Sequence, residues 1–205
     1  GGFYLDILKD RLYTNTPTAR SRKSAQTVLH IITNSMLHWM APFLSFTAEE
    51  AWQIFNRNEN HSTTIFTTEY QAVPTSTNAT DLLQKWMSIR QIRQDVTKAI
   101  EIERETGKIG SSLQAEITIE APSEQAEILN SIGSELKFVL ITSLAEVKTS
   151  IPGTPLQVAV KASSFLKCTR CWHYTPAVGS LPSHPDLCER CDINLHGAGE
   201  IRHYA

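Results

Sequence analysis

Four cysteines constrain what this chain can fold into more than any other feature. Cys168-Thr169-Arg170-Cys171 and Cys188-Glu189-Arg190-Cys191 are two Cys-x-x-Cys pairs separated by residues 172–187, a spacing that suits a four-thiolate zinc ribbon or knuckle. A two-residue gap lets both thiolates of a pair point at one metal from a tight turn. Two such turns complete a tetrahedron with no position left for water, so the expected ion is a single structural zinc and not a catalytic one. Residues 163–205 hold all four cysteines, several turn-forming Pro and Gly residues, and too few apolar residues for a core of their own. A metal supplies what burial does not. Two disulfides are the alternative, but they suit a secreted mini-domain, and no charged-then-apolar leader opens the chain. A redox Cys-x-x-Cys, or His173, His184 or His196 in place of one thiolate, suits the matched pairs less well. The three histidines read as loop residues.

Upstream of the cysteines the hydrophobic pattern is helical first and strand-like second. Tyr4, Leu5, Leu8 and Leu12 recur at helical spacing. Thr16-Pro17 offers an N-cap with Pro at the first helical position, opening a helix to about Met40 with apolar positions Ala25, Val28, Leu29, Ile32, Met36 and Trp39. Pro42 stops it. Thr47-Ala48-Glu49-Glu50 has the form of a capping box and predicts a helix to about Phe55. A polar loop follows to about residue 78, then Leu82, Leu83, Trp86, Ile89, Val96 and Ile100 define a long helix from Thr80 to Glu105, capped by Gly107. Residues 3–107 thus predict an antiparallel helix bundle.

Beyond Gly110 the period changes to two, with Ala115, Ile117 and Ile119 alternating with polar residues. A short helix from Pro122-Ser123 to about Ile132 and strands at Phe138–Thr142, Glu146–Thr149 and Gln157–Lys161 complete a small α+β subdomain over residues 110–162, with a turn at residues 151–155. The expected fold class is α+β, mainly α: a helix bundle, a small α+β subdomain and a zinc-binding module at residues 163–205.

The formal net charge of −2 excludes a protein that attracts anionic polymer through its overall field, so any nucleic-acid contact must come from local patches. Lys167, Arg170 and Arg190 flank the cysteines and either neutralise the anionic metal site or meet phosphates. Trp172, His173 and Tyr174 follow the first pair directly; Trp172 reads as a platform for an unpaired base, Tyr174 as packing beneath the knuckle. Arg20, Arg22 and Lys23 lie near a helix N-terminus, where the macrodipole disfavours cations, and this suggests a phosphate site. Solvation, or pairing with Asp6 or Asp10, is the plainer account. Arg90 and Arg93 share a helix face, which a solvated charged surface explains equally well. No apolar run approaches the ~20 residues that span a bilayer, and a cytoplasmic location is expected. Gly1-Gly2 directly before a helical pattern suggests a boundary within a longer polypeptide.

Several segments together resemble the C-terminal part of bacterial isoleucyl-tRNA synthetases: FYLDILKDRLYT (3–14), RSRKSAQTVLH (20–30), HWMAPFLSFTAEEAW (38–52), LKCTRCWHY (166–174) with LCERC (187–191), and GAGEIRHYA (197–205). The bundle segments are shared in outline with the valine, leucine and methionine enzymes; the zinc ribbon narrows the resemblance to isoleucine. It implies a monomeric class I synthetase that activates isoleucine with ATP and esterifies tRNA(Ile), with a separate editing domain. The His-x-Gly-His and Lys-Met-Ser-Lys-Ser signatures of such enzymes do not occur in these 205 residues. The catalytic and editing domains are therefore expected upstream, and the chain itself is expected to be non-catalytic and to grip the anticodon stem and loop. A similar zinc module closes formamidopyrimidine-type DNA glycosylases, so a DNA-repair tail is the alternative, and a structural or protein-binding zinc domain a third.

Overall fold

The structure is a computed structural model that describes residues 2–56 and 63–204. It is mainly helical with one small sheet. In chain order the elements are α1 (Gly2–Thr14), α2 (Arg20–Met40), α3 (Ser45–Phe55), a 3-10 turn at Ile65–Thr67, α4 (Ala79–Glu105), β1 (Ala115–Ala121), α5 (Ser123–Asn130), α6 (Leu136–Leu140), β2 (Leu144–Thr149), β3 (Gln157–Ala162) and α7 (Glu189–His196). They fall into two compact units, one made of Gly1–Lys23 with Asn78–Ala205, the other of Ser24–Thr77.

In the first unit β1 is the central strand. It pairs in parallel with β2, Ile117 opposite Ala145, and antiparallel with β3, Ile117 opposite Val160. Its period-two pattern buries Ala115, Ile117, Ile119 and Ala121, while the residues between them are less covered. These side chains share a core with Leu129 of α5, Val139 of α6 and the Ile89, Ile92, Val96 and Ile100 face of α4. A parallel β1–β2 pair needs a crossover, which α5 and α6 provide. The strand expected at Phe138–Thr142 is therefore a helix, α6, ended by Ile141 in the left-handed conformation (φ 58°). A continuous apolar run has no period that separates a buried helix from a buried strand. The cap at Gly107 (φ 74°) is a Schellman motif, with Gly107 N donating to Arg104 O at 2.9 Å and Lys108 N to Glu103 O at 3.0 Å.

In the unit spanning Ser24–Thr77, Leu37, Ala41, Ala48, Trp52 and Ile65 form the core. His38 is buried with them, bound through its ring nitrogens to Asn34 O (2.8 Å) and Thr68 Oγ1 (3.0 Å). The stripe expected to face inward on α2 is turned out, since Val28, Ile32, Met36 and Trp39 are all exposed. The expected capping box is likewise absent: α3 starts at Ser45 with no side-chain cap, so Thr47 lies inside the helix, and Glu49 accepts from Gln53, from Thr64 Oγ1 (2.8 Å) and from Ile65 N (2.9 Å). Part of the polar loop expected before residue 78, at 57–62, lies outside the described residues.

Candidate metal centre and nucleic-acid interface

The first cysteine pair sits on a tight reversal. Lys167 and Tyr174 form an antiparallel bridge, Cys168 N donates to His173 O (2.9 Å), and Trp172 N donates back to Cys168 O (3.0 Å). Trp172 closes the turn with φ 67°, a conformation a tryptophan adopts only under local constraint. The second pair opens α7. Cys188 is the N-cap residue and Cys191 lies in the first turn, where amide dipoles favour thiolate. Thr169 joins the two turns, donating from its backbone N to Asp186 O (3.1 Å) and from its hydroxyl to Asp186 Oδ2 (2.9 Å).

All four sulfurs are buried and lie within 4.8 Å of one another. Cys171 and Cys188 Sγ are 3.7 Å apart, matching the roughly 3.8 Å edge of a tetrahedron with zinc–sulfur bonds of about 2.3 Å. None is in a disulfide. The thiols also titrate against each other. Hydrogen bonds from Cys171 and then Cys191 hold Cys188 down to about 3, while Cys191, which donates to Cys171 and Cys188, is pushed far up. Four sulfurs this close carry their charge together only with a cation between them. The donor set fits one structural zinc, held by Cys168, Cys171, Cys188 and Cys191.

Around this centre the predicted cations separate into two groups. Arg170 caps the C-terminal end of α1, donating to Thr14 O (2.6 Å) and Tyr13 O (3.3 Å). Arg190 grips Asp10 of α1 with both Nη atoms at 2.8 Å and reaches Glu200 at 3.1 Å. Arg202 also pairs with Asp10 and lies over the Phe138 ring, 3.7 Å from its centroid. Burial alone would raise the Asp10 carboxyl; Arg190 and then Arg202 override it and hold it well below the usual carboxylate range. Arg93 is engaged too, donating to Val139 O at 3.0 Å and, with Arg90, lying over Phe3. Arg22 reaches Asn15 O.

The outward-facing group is smaller. Trp172 is 58% exposed, with Lys167 Nζ 5.1 Å from its ring centroid. Beside it lies a cleft of about 480 Å³ lined by Lys9, Tyr13, Phe138, Ile141, Arg170 and His173, among others. Arg20 and Lys23 stand exposed in the first turn of α2. That helix starts at Arg20 because Thr16-Pro17 forms a turn instead, closed by Ala19 N donating to Thr16 O. The sequence offered no signal for Asp10, Glu200 and Arg202 as partners of the metal module. His173, expected as a loop histidine, is buried with Nδ1 3.2 Å from Cys171 O.

The chain belongs to the family of anticodon-binding domains of tRNA ligases, which residues 1–119 match, and residues 165–193 match the zinc finger found in FPG and IleRS. It is 56% identical over 205 residues to the isoleucine-tRNA ligase of Cupriavidus taiwanensis and 55% identical over 206 to that of Cupriavidus necator, in both cases covering 100% of this chain and 21% of the relative. The Ralstonia pickettii isoleucine-tRNA ligase is 54% identical over 202 residues, covering 98% of this chain and 21% of the relative. The chain thus spans about a fifth of the length of these relatives. Among the described residues no helix is long and apolar enough to cross a membrane.

Proposed function

We propose that this chain is the tRNA-recognition region of an isoleucine-tRNA ligase, gripping the anticodon stem and loop of tRNA(Ile) for a monomeric cytoplasmic enzyme. In such an enzyme, isoleucine activation with ATP, transfer to tRNA and editing belong to upstream domains. Residues 3–107 then act as the anticodon-binding helix bundle, residues 110–162 as the α+β subdomain, and residues 163–205 as a zinc knuckle that touches tRNA. The exposed stripe of Val28, Ile32, Met36 and Trp39 suits contact with the remainder of such an enzyme.

One observation supports this reading most strongly. Trp172 is held outward by a left-handed backbone on a turn whose neighbours, Cys171 and His173, are buried. With Lys167 at its face and a cleft beside it, the ring suits an unpaired loop base. Arg20, Lys23 and Arg90 then serve phosphates. Arg22, Arg93, Arg170 and Arg190, engaged with carbonyls or carboxylates, position the surface on which the RNA lies.

The test is filter binding with tRNA(Ile), anticodon-loop variants and duplex DNA. Affinity for tRNA(Ile) falls steeply with salt as condensed counterions are no longer released. Trp172→Ala costs about 1–3 kcal/mol with zinc content unchanged, and Trp172→Phe recovers part of it. Unchanged affinity at full zinc occupancy removes the stacking role, preference for duplex DNA favours the DNA-repair alternative, and isoleucyl-adenylate formation by the chain itself contradicts a recognition-only part.

A further inference from the structure

The four cysteines are not the only metal-ligating cluster among the described residues. We propose that His184, Asp192 and His196 form a second, solvent-facing site for a first-row divalent cation, with zinc or nickel as suitable occupants. Asp192 and His196 are four residues apart on α7, so they share one helix face. His184 approaches from the preceding loop and places Nδ1 2.7 Å from Asp192 Oδ1. The His184 and His196 rings are stacked 4.1 Å apart and 9° from parallel, so the exposed His196 ring must turn out of the stack for both in-plane lone pairs to meet one ion. One ligand atom from each residue lies within 4.8 Å of the other two. An ion with bonds of about 2.1 Å at right angles holds its ligand atoms about 3 Å apart. Insertion between His184 and Asp192 therefore needs a small opening of their 2.7 Å contact together with rotation of the His196 ring.

Two imidazoles and one carboxylate select zinc, nickel or copper over calcium and magnesium, which take mainly oxygen ligands. The support is rigid where it matters. Cys188 and Cys191 fix the start of α7, and Asp192 follows Cys191 directly; Gly197 N donates to Ile193 O at 2.9 Å and closes the turn that carries His196. Three protein ligands leave further coordination positions to water, unlike the closed four-sulfur centre. None of the three residues serves the proposed tRNA surface, so the two assignments stand or fall separately.

The experiment is equilibrium dialysis of the full chain, purified with its first zinc in place, against increasing free zinc, and separately against nickel. A second equivalent is expected in the micromolar range. His184→Ala and His196→Ala should each weaken that second equivalent by about tenfold or more while leaving the first untouched. Asp192→Asn, which keeps the side-chain shape, should weaken it in the same direction. If His196→Ala disturbs α7 enough to release the first zinc, the loop variant His184→Ala decides. Uptake that stops at one equivalent at tens of micromolar free metal overturns the proposal, as does a second equivalent that persists unweakened in His184→Ala.

Discussion

The sheet core and the cysteine module are equally dry inside and are closed by different means. Around β1 the enclosed groups are aliphatic: Ile117, Ile119, Leu129, Val139, Ile89 and Val96 pack on one another, and removing water from that carbon is the driving force. Around the metal centre the enclosed groups are four sulfurs, with Val178 and Leu187 as the only carbon-chain company in their cluster. Apolar burial is spread over many residues and is lost gradually. A shared ion is all or nothing. The interface between the regions is of a third kind, in which Arg190 and Arg202 meet Asp10 and Glu200.

The largest expected effect separates the first two kinds. Chelation, or Cys168→Ser, forfeits a binding free energy of the order of 10–16 kcal/mol in comparable peptides, which is folding free energy for such a module. Residues 163–204 should unfold while far-UV dichroism barely changes, because α7 contributes only 8 helical residues. The near-UV signal of Trp172 should collapse. Loss of the bulk helical signal instead would mean that the sheet core and helices depend on the metal as well.

The next effect tests the interface. Asp10→Asn leaves Arg190 and Arg202 with Glu200 as their one remaining carboxylate and should cost about 3 kcal/mol, read as a lower urea midpoint. The pH dependence has a definite sign. Because the folded carboxyl titrates below its ordinary 3.8, its contribution is complete above that pH and is lost as acid protonates it. The native protein should therefore lose stability on acidification below pH 3.8 more steeply than Asp10→Asn. Equal slopes would show that Asp10 is not the linked group. The last effect is local to the sheet core: Leu129→Ala should cost about 3 kcal/mol through transfer and cavity terms, with zinc content unchanged by elemental analysis. A drop in metal content would couple two regions whose buried clusters are separate among the described residues.

What could be read in advance was whatever is encoded within a few residues. The Cys-x-x-Cys spacing specified the metal centre, the alternation at 115–121 specified β1, and Gly107 specified the end of α4. Phe138–Thr142 misled because four apolar residues in a row have no period. The inward face of α2 misled because apolar spacing says which residues share a side, not whether anything covers it; Asn34, Ser35 and His38 found polar partners and were buried instead. Thr47 and Glu50 matched a capping pattern, but α3 starts two residues earlier, at Ser45, which puts Thr47 inside the helix. The Asp10 cluster was invisible for another reason, since no local rule joins residues so far apart.

That separation, 180 positions between Asp10 and Arg190, also bears on the order of events as the protein is made. At about 5–20 residues per second, ribosomal synthesis puts on the order of 10–40 s between the two. Throughout that interval the Asp10 carboxylate has neither arginine, so the ion cluster that ties α1 to the tail cannot form. Tail and metal arrive together, and only then does Asp10 have somewhere to go. The ion cluster thus sets an order, since α1 gains this contact only once residues 180 positions further on have been made.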